Sequence, residues 1–258
     1  MADAKNEVTP QDDIVIGKTI DDALLAHINQ SNGFNYLSPS THTSAYSYIN
    51  TIKNKIDSAT TDNAASIASS NTHYSIPSTT SVATTTIRIL DKAGETNAFV
   101  APGGYIYLYK DFLTKIQTEA QFVAVLAHLM TCSKGRHASK KMQDRFSLSF
   151  MIDLALGGEL TPNSGVDIST ILNELENVPY NQVLVTELDQ AAENVICNLD
   201  YEVSSYSNLF TNLGAQNLKW FSLFPRPSLA DYATHLFNNN CVGETIGSTA
   251  YGNFKLTL

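Results

Sequence analysis

The chain has 258 residues, enough for one large domain with a substantial core. A net charge of −9 with only 16 Lys and Arg argues against a nucleic-acid surface. No apolar run reaches the length of a bilayer span, which argues against a transmembrane segment. Residues 1–14 are polar and read as a flexible tail, ahead of one domain over residues 15–258. Ile14 to Asn29 has the spacing of an amphipathic helix, with Ile20, Leu24 and Ile28 on one face. Thr41 to Ile56 reads as a second helix. The Ser-, Thr-, Ala- and Asn-dense block from Ser58 to Thr85 reads as a loop. Thr86–Leu90, Ala98–Val100 and Tyr105–Tyr109 read as strands, with Pro102-Gly103-Gly104 turning between the last two. Tyr105, Tyr107 and Tyr109 alternate with Ile106 and Leu108, as on a sheet with one buried face.

A helix follows over Thr118 to Met142, TEAQFVAVLAHLMTCSKGRHASKKM. At its centre stands His128-Leu129-Met130-Thr131-Cys132. A zinc peptidase would carry H-E-x-x-H in those five places, with two imidazoles one turn apart and a glutamate as general base. A lone His on an apolar helix is more often a hydrogen-bonded core residue than a ligand. The flanks carry more. Upstream lie Asn97-Ala98-Phe99 and Pro102-Gly103-Gly104, then Asp111-Phe112-Leu113, and downstream Arg136-His137. The order NAF, PGG, short helix, Ala127-His128, Arg136-His137 resembles the M48 family of zinc metallopeptidases, and the chain resembles its soluble branch. The likeness extends from Ile14 to Phe237. It implies an α+β, mostly helical gluzincin-type fold with a small β-sheet beside the H-E-x-x-H helix. This sequence departs from the pattern where catalysis needs it: Leu129 stands for the general base and Cys132 for the second His.

The resemblance places a third zinc ligand, a Glu, on a later helix in a pattern like S-R-x-x-E-x-x-A-D, ahead of a G-Y. Counting back without gaps from Tyr206 puts Gln190 at the ligand and Asn194 at the Asp that orients a ligating His. A second register uses Asp189 with Glu193, or Glu187. In the gapless register both acids have become amides, which suits loss of the metal: without zinc a buried carboxylate is an uncompensated charge. Cys132 could still offer a thiolate one turn from His128, so an alternative metal set is His128, Cys132 and Glu187. The blander account is a small buried thiol filling the space of a histidine. Toward the C-terminus, Phe224-Pro225-Arg226-Pro227 lies where the family has T-H-P, with Arg226 for the His.

In gluzincin-type peptidases an edge strand beside the zinc helix holds substrate by strand addition. The resemblance assigns that place to Gly103, Gly104, Tyr105 and Tyr107. The expectation is an M48-like pseudopeptidase without catalytic residues or cofactor, binding peptides or a protein partner in the old cleft. The alternative is an active or weakly active zinc endopeptidase. After Met142 the sequence predicts helices over Phe146–Leu156, Ile168–Leu175, Val183–Leu199 and Tyr206–Gly214, with Pro162 to Gly165 as a break. Three cysteines (Cys132, Cys197, Cys241) form no disulfide framework. Met1 to Lys5 read as no export signal. The Ser-, Thr- and Asn-rich, Lys-poor surface suits an exported bacterial envelope protein whose leader has been removed, and otherwise a cytoplasmic one.

Overall fold

The computed structural model describes residues 8–61, 84–158, 160, 166–214, 218–226, 243 and 245–258. The first helix, α1 (Pro10–Gln30), starts four residues earlier than its apolar period suggests. Thr9 and Asp12 form a capping box, and proline at the first helical position pre-sets φ. Residues 10–14 are therefore helix and not part of a tail, and Val8 is buried. Strand β1 (Phe34–Leu37) was not foreseen, since four residues carry too little pattern to read. Helix α2 (Thr43–Thr61) runs beyond Ser58 into the stretch expected as loop; residues 62–83 of that stretch lie outside the described residues.

Strands β2 (Thr86–Lys92), β3 (Ala98–Ala101) and β4 (Tyr105–Tyr109) complete a four-stranded sheet in the order β1-β2-β4-β3. β2 pairs in parallel with β4, and the two outer pairings are antiparallel. Gly103, at φ 72°, makes the turn from β3 to β4, where a Cβ would stand 2.4 Å from the Asp13 carbonyl oxygen. The tyrosine face of β4 is buried as well as its aliphatic face. Helix α1 lies across it: the Tyr107 hydroxyl donates to Asp21 Oδ1 at 3.0 Å, and Arg88 grips the same carboxylate at 2.6 and 3.1 Å. The one-sided burial expected from the alternation is thus corrected, because Tyr107 and Tyr109 bury their rings and satisfy their hydroxyls on Asp21 and Glu176, while Tyr105 stays half-buried.

After the short α3 (Lys110–Lys115) comes α4 (Glu119–Lys134), capped by Thr118 and buried along nearly its whole length. The single helix expected over Thr118 to Met142 is two. Gly135 ends α4, Arg136 takes the left-handed conformation at φ 57°, and α5 (His137–Arg145) starts anew. The turn is held because the Arg136 side chain reaches back to α1, with Nε on Asp13 Oδ2 at 2.5 Å and Nη2 on the Val8 carbonyl. α6 (Leu148–Ala155), α7 (Ile168–Asn177), α8 (Gln182–Asn198), α9 (Ser204–Gly214), α10 (Lys219–Leu223) and α11 (Ser248–Lys255) follow. Pro162 to Gly165 lie outside the described residues. The element that positions the site is the α4–α8 pair, packed side by side, with α4 also against β3 and β4. No described helix is long and apolar enough to cross a membrane.

Candidate functional site

His128 sits two-thirds of the way along α4, fully buried. Its Nδ1 lies 2.7 Å from Asp189 Oδ1 on α8. A carboxylate only accepts, so Nδ1 carries the proton and Nε2 keeps a lone pair. Nε2 has no hydrogen-bond partner among the described residues. The ring is boxed edge-on by Phe224 at 4.6 Å and Trp220 at 5.4 Å between centroids. Burial among these rings lowers the imidazole pKa, against the pull of Asp189, so the ring is neutral.

Asp189 is fully buried and is gripped from three sides. Arg226 offers it a two-pronged fork, Nε to Oδ2 at 2.8 Å and Nη2 to Oδ1 at 2.9 Å. The Tyr206 hydroxyl donates to Oδ1, which His128 also contacts. Burial alone would raise the carboxyl pKa, but the Arg226 guanidinium and the His128 contacts hold it well below the usual carboxylate range. Arg226 is itself buried. Its third donor, Nη1, meets the Phe224 carbonyl at 2.8 Å, and its plane lies over Phe210 (4.5 Å) and Trp220 (4.7 Å).

This geometry corrects the register expected for α8. Gln190 is exposed and does not face His128; Asn194 is only half-buried. Asp189 takes the place facing the histidine, and Glu193, one turn on, is buried as well. Glu187 is half-buried and stands two residues from Asp189, about 200° around the helix. The helix period held the signal. Leu184, Val185, Leu188, Ala192, Val195 and Ile196 define the buried stripe, and Asp189 falls within it while Gln190 falls outside. The gap-free count from Tyr206 missed this by one residue. Arg226 was noted only as a departure from a family histidine; nothing local in the sequence marks it as the partner of an acid 37 residues away.

Leu129, next to His128, is fully buried. Cys132 is a free thiol, fully buried beside the Tyr180 hydroxyl, and burial pushes its pKa up to about 12. Tyr180 stacks on Phe224 at 5.0 Å, so two aromatic rings close the helix face between His128 and Cys132. Cys197, by contrast, is disulfide-bonded, a single pairing where the sequence predicts no disulfide framework; Cys241 lies outside the described residues.

The expected substrate strand is also corrected. β4, with Tyr105 and Tyr107, is an inner strand whose two sides pair with β2 and β3. Gly103 and Gly104 form the turn before it. The sheet edge next to α4 is β3, and every residue of it is at most 1% exposed. The segment from Leu218 to Arg226 is fastened beside that strand: Trp220 N donates to the Thr96 carbonyl at 3.2 Å and Tyr180 N to the Leu223 carbonyl at 2.9 Å.

The model of peptidase family M48 matches residues 62–195, just over half of the chain. The chain belongs to peptidase family M48. No curated protein matches it. The family match takes in His128, Leu129, Cys132 and Asp189, and ends before Tyr206 and Arg226. Family membership implies zinc, and the residues present do not fit it. Among the described residues no three His, Cys, Asp or Glu side chains are grouped to hold a metal. Both Asp189 oxygens are engaged by Arg226, and Cys132 is a protonated thiol turned to Tyr180. His128 Nε2 is left as a solitary donor, and zinc needs three or four.

Proposed function

We propose that this M48-family chain is a pseudopeptidase, a protein that binds peptides or partner proteins on a peptidase fold without cutting them. One observation carries the proposal: the Arg226 guanidinium occupies both oxygens of Asp189, the acid hydrogen-bonded to His128. A cation already neutralises the carboxylate, so a metal would have to displace a buried, bidentate and aromatic-stacked arginine. Leu129 supports the same reading, because a buried leucine next to His128 has no group to take a proton from water. The covered edge of β3 supports binding on the outer surface of the cleft, not by strand addition. The disulfide at Cys197 supports an oxidising compartment, in line with an exported protein.

The test is metal content and hydrolysis on the same sample. Protein purified without chelator and given equimolar zinc is expected to retain less than a tenth of an equivalent after desalting, and to leave casein intact. Stoichiometric zinc lost on replacing His128 or Cys132, with casein cleavage, would establish the alternative, an atypical zinc endopeptidase.

A further inference from the structure

Beyond the aromatic pair Tyr180–Phe224, on the solvent side, a cleft of about 580 Å³ opens between α5, the end of α7 and the start of α8. That volume is within the range of small-ligand sites. Lys141 lies at its floor with its ammonium 4.3 Å over the Tyr180 ring. Among the described residues the ammonium's hydrogen-bond acceptor is the neutral Val178 carbonyl at 2.5 Å. Among the described residues no carboxylate lies within ion-pair distance of it. Glu174, the nearby acid, is itself buried and paired with Arg145 at 3.4 Å. Buried charges are ordinarily matched by an opposite charge. Here a half-buried cation is held toward a cavity by a carbonyl and a π-face.

We infer that this cleft binds the carboxylate of a peptide, with Lys141 as the recognising cation. The inference rests on the proposed peptide-binding role and names the chemistry that the site would recognise. Lys140, Lys141, Asp144 and Arg145 line the cleft from α5 and Glu174 from α7, where Glu174 is paired with Arg145; the single cation Lys141 suits a singly charged carboxylate over a dianionic phosphate. Tyr180 and Leu184 supply apolar wall for the residue bearing the carboxylate. Burial lowers the Lys141 pKa to about 8, although Glu174 and Cys132 pull it upward. His137 and Lys140 on its own helix and Tyr180 across from it complete its titratable surroundings. An added carboxylate would raise that pKa, so binding at pH 8 takes up protons while binding at pH 6 does not.

Calorimetry of the full chain tests this with three probes: an N-acetylated Ala/Leu hexapeptide with a free C-terminus, its carboxamide, and the carboxamide carrying one internal Glu. The free acid is expected to bind roughly tenfold tighter than the carboxamide, with proton uptake at pH 8 seen as a heat that depends on the buffer. Lys141→Met should remove that preference and the uptake, and Lys141→Arg should keep the preference and lose the uptake. If the Glu-bearing carboxamide matches the free acid, the carboxylate comes from a side chain and the inference holds. Equal binding of free acid and carboxamide, binding indifferent to Lys141, tighter competition by inorganic phosphate, or no binding of any probe overturns it. The zinc and casein measurements are independent of these outcomes, so the pseudopeptidase reading stands or falls separately.

Discussion

Arg226 and Asp189 meet through two parallel hydrogen bonds of 2.8 and 2.9 Å in a place where neither touches water. The pair joins the segment after α10 to the middle of α8, and through Asp189 to His128 on α4. Removing one member of a buried pair strands the other charge, which costs about 3–5 kcal/mol. Arg226→Met is therefore expected to lower unfolding free energy by that amount in urea titrations. Asp189→Asn together with Arg226→Met should recover more than half of the loss, since the stranded charge is gone. A double-variant loss equal to the sum of the Asp189→Asn and Arg226→Met losses would show that the pair is not coupled.

The acid side of the stability profile follows from two groups. The folded pKa of His137 is depressed from the ordinary 6.5 to about 4 by burial, with Lys140 adding to the effect. A depressed folded pKa means that the unfolded chain binds the proton first. The contribution is therefore full above pH 6.5 and is lost as pH falls toward 4, by ~3 kcal/mol. Asp189 is also depressed, and its contribution is lost only below its ordinary value of 3.8. Thermal melts from pH 7 to 4 should fall steeply for the native chain and less steeply for His137→Gln. Parallel curves would remove His137 from the account.

Rebuilding the metal centre distinguishes the two α8 registers. Leu129→Glu, Cys132→His, Asp189→Glu and Arg226→Ala together supply two imidazoles, a ligand acid and a general base, and vacate the guanidinium's place. This variant is expected to bind one zinc. The same set with Asp189→Asn and Gln190→Glu in place of Asp189→Glu should not, because Gln190 is on the exposed side of α8. Zinc analysis after desalting reads both. Zinc in the Gln190 set alone would mean that α8 is rotated from the geometry described.

The covered edge strand has its own signature. The amides of Ala98–Ala101 belong to residues at most 1% exposed. Their hydrogen exchange should require near-global unfolding and should not change when a peptide is added. Fast exchange, or protection gained on peptide addition, would show the edge opening to ligand as it would in a peptidase.

Much of this was legible in the chain before it folded. The NAF, PGG, Ala127-His128 and Arg136-His137 pattern is local, as are Leu129 and Cys132, so the resemblance to the family could be read from neighbouring residues, and the family match bears it out. Helix cores were legible from their period, and their ends less so: the capping box at Thr9 extends α1, and Arg136 in the left-handed region cuts one expected helix into two. The α8 register was present in the apolar stripe, but a one-residue error in counting turns a side chain by about 100°, enough to exchange a buried acid for an exposed amide.

By itself, then, the sequence determined the family and the helix that carries His128, with Leu129 beside it. These are properties of neighbours along a chain. Only the tertiary structure decided what compensates the buried acid. Arg226 and Asp189 are far apart in sequence, and no spacing rule links them; burial does, because a carboxylate taken out of water must find a cation wherever the fold supplies one. The same reason leaves Lys141 facing a cleft: folding buried it partway, and among the described residues no carboxylate lies within ion-pair distance of it.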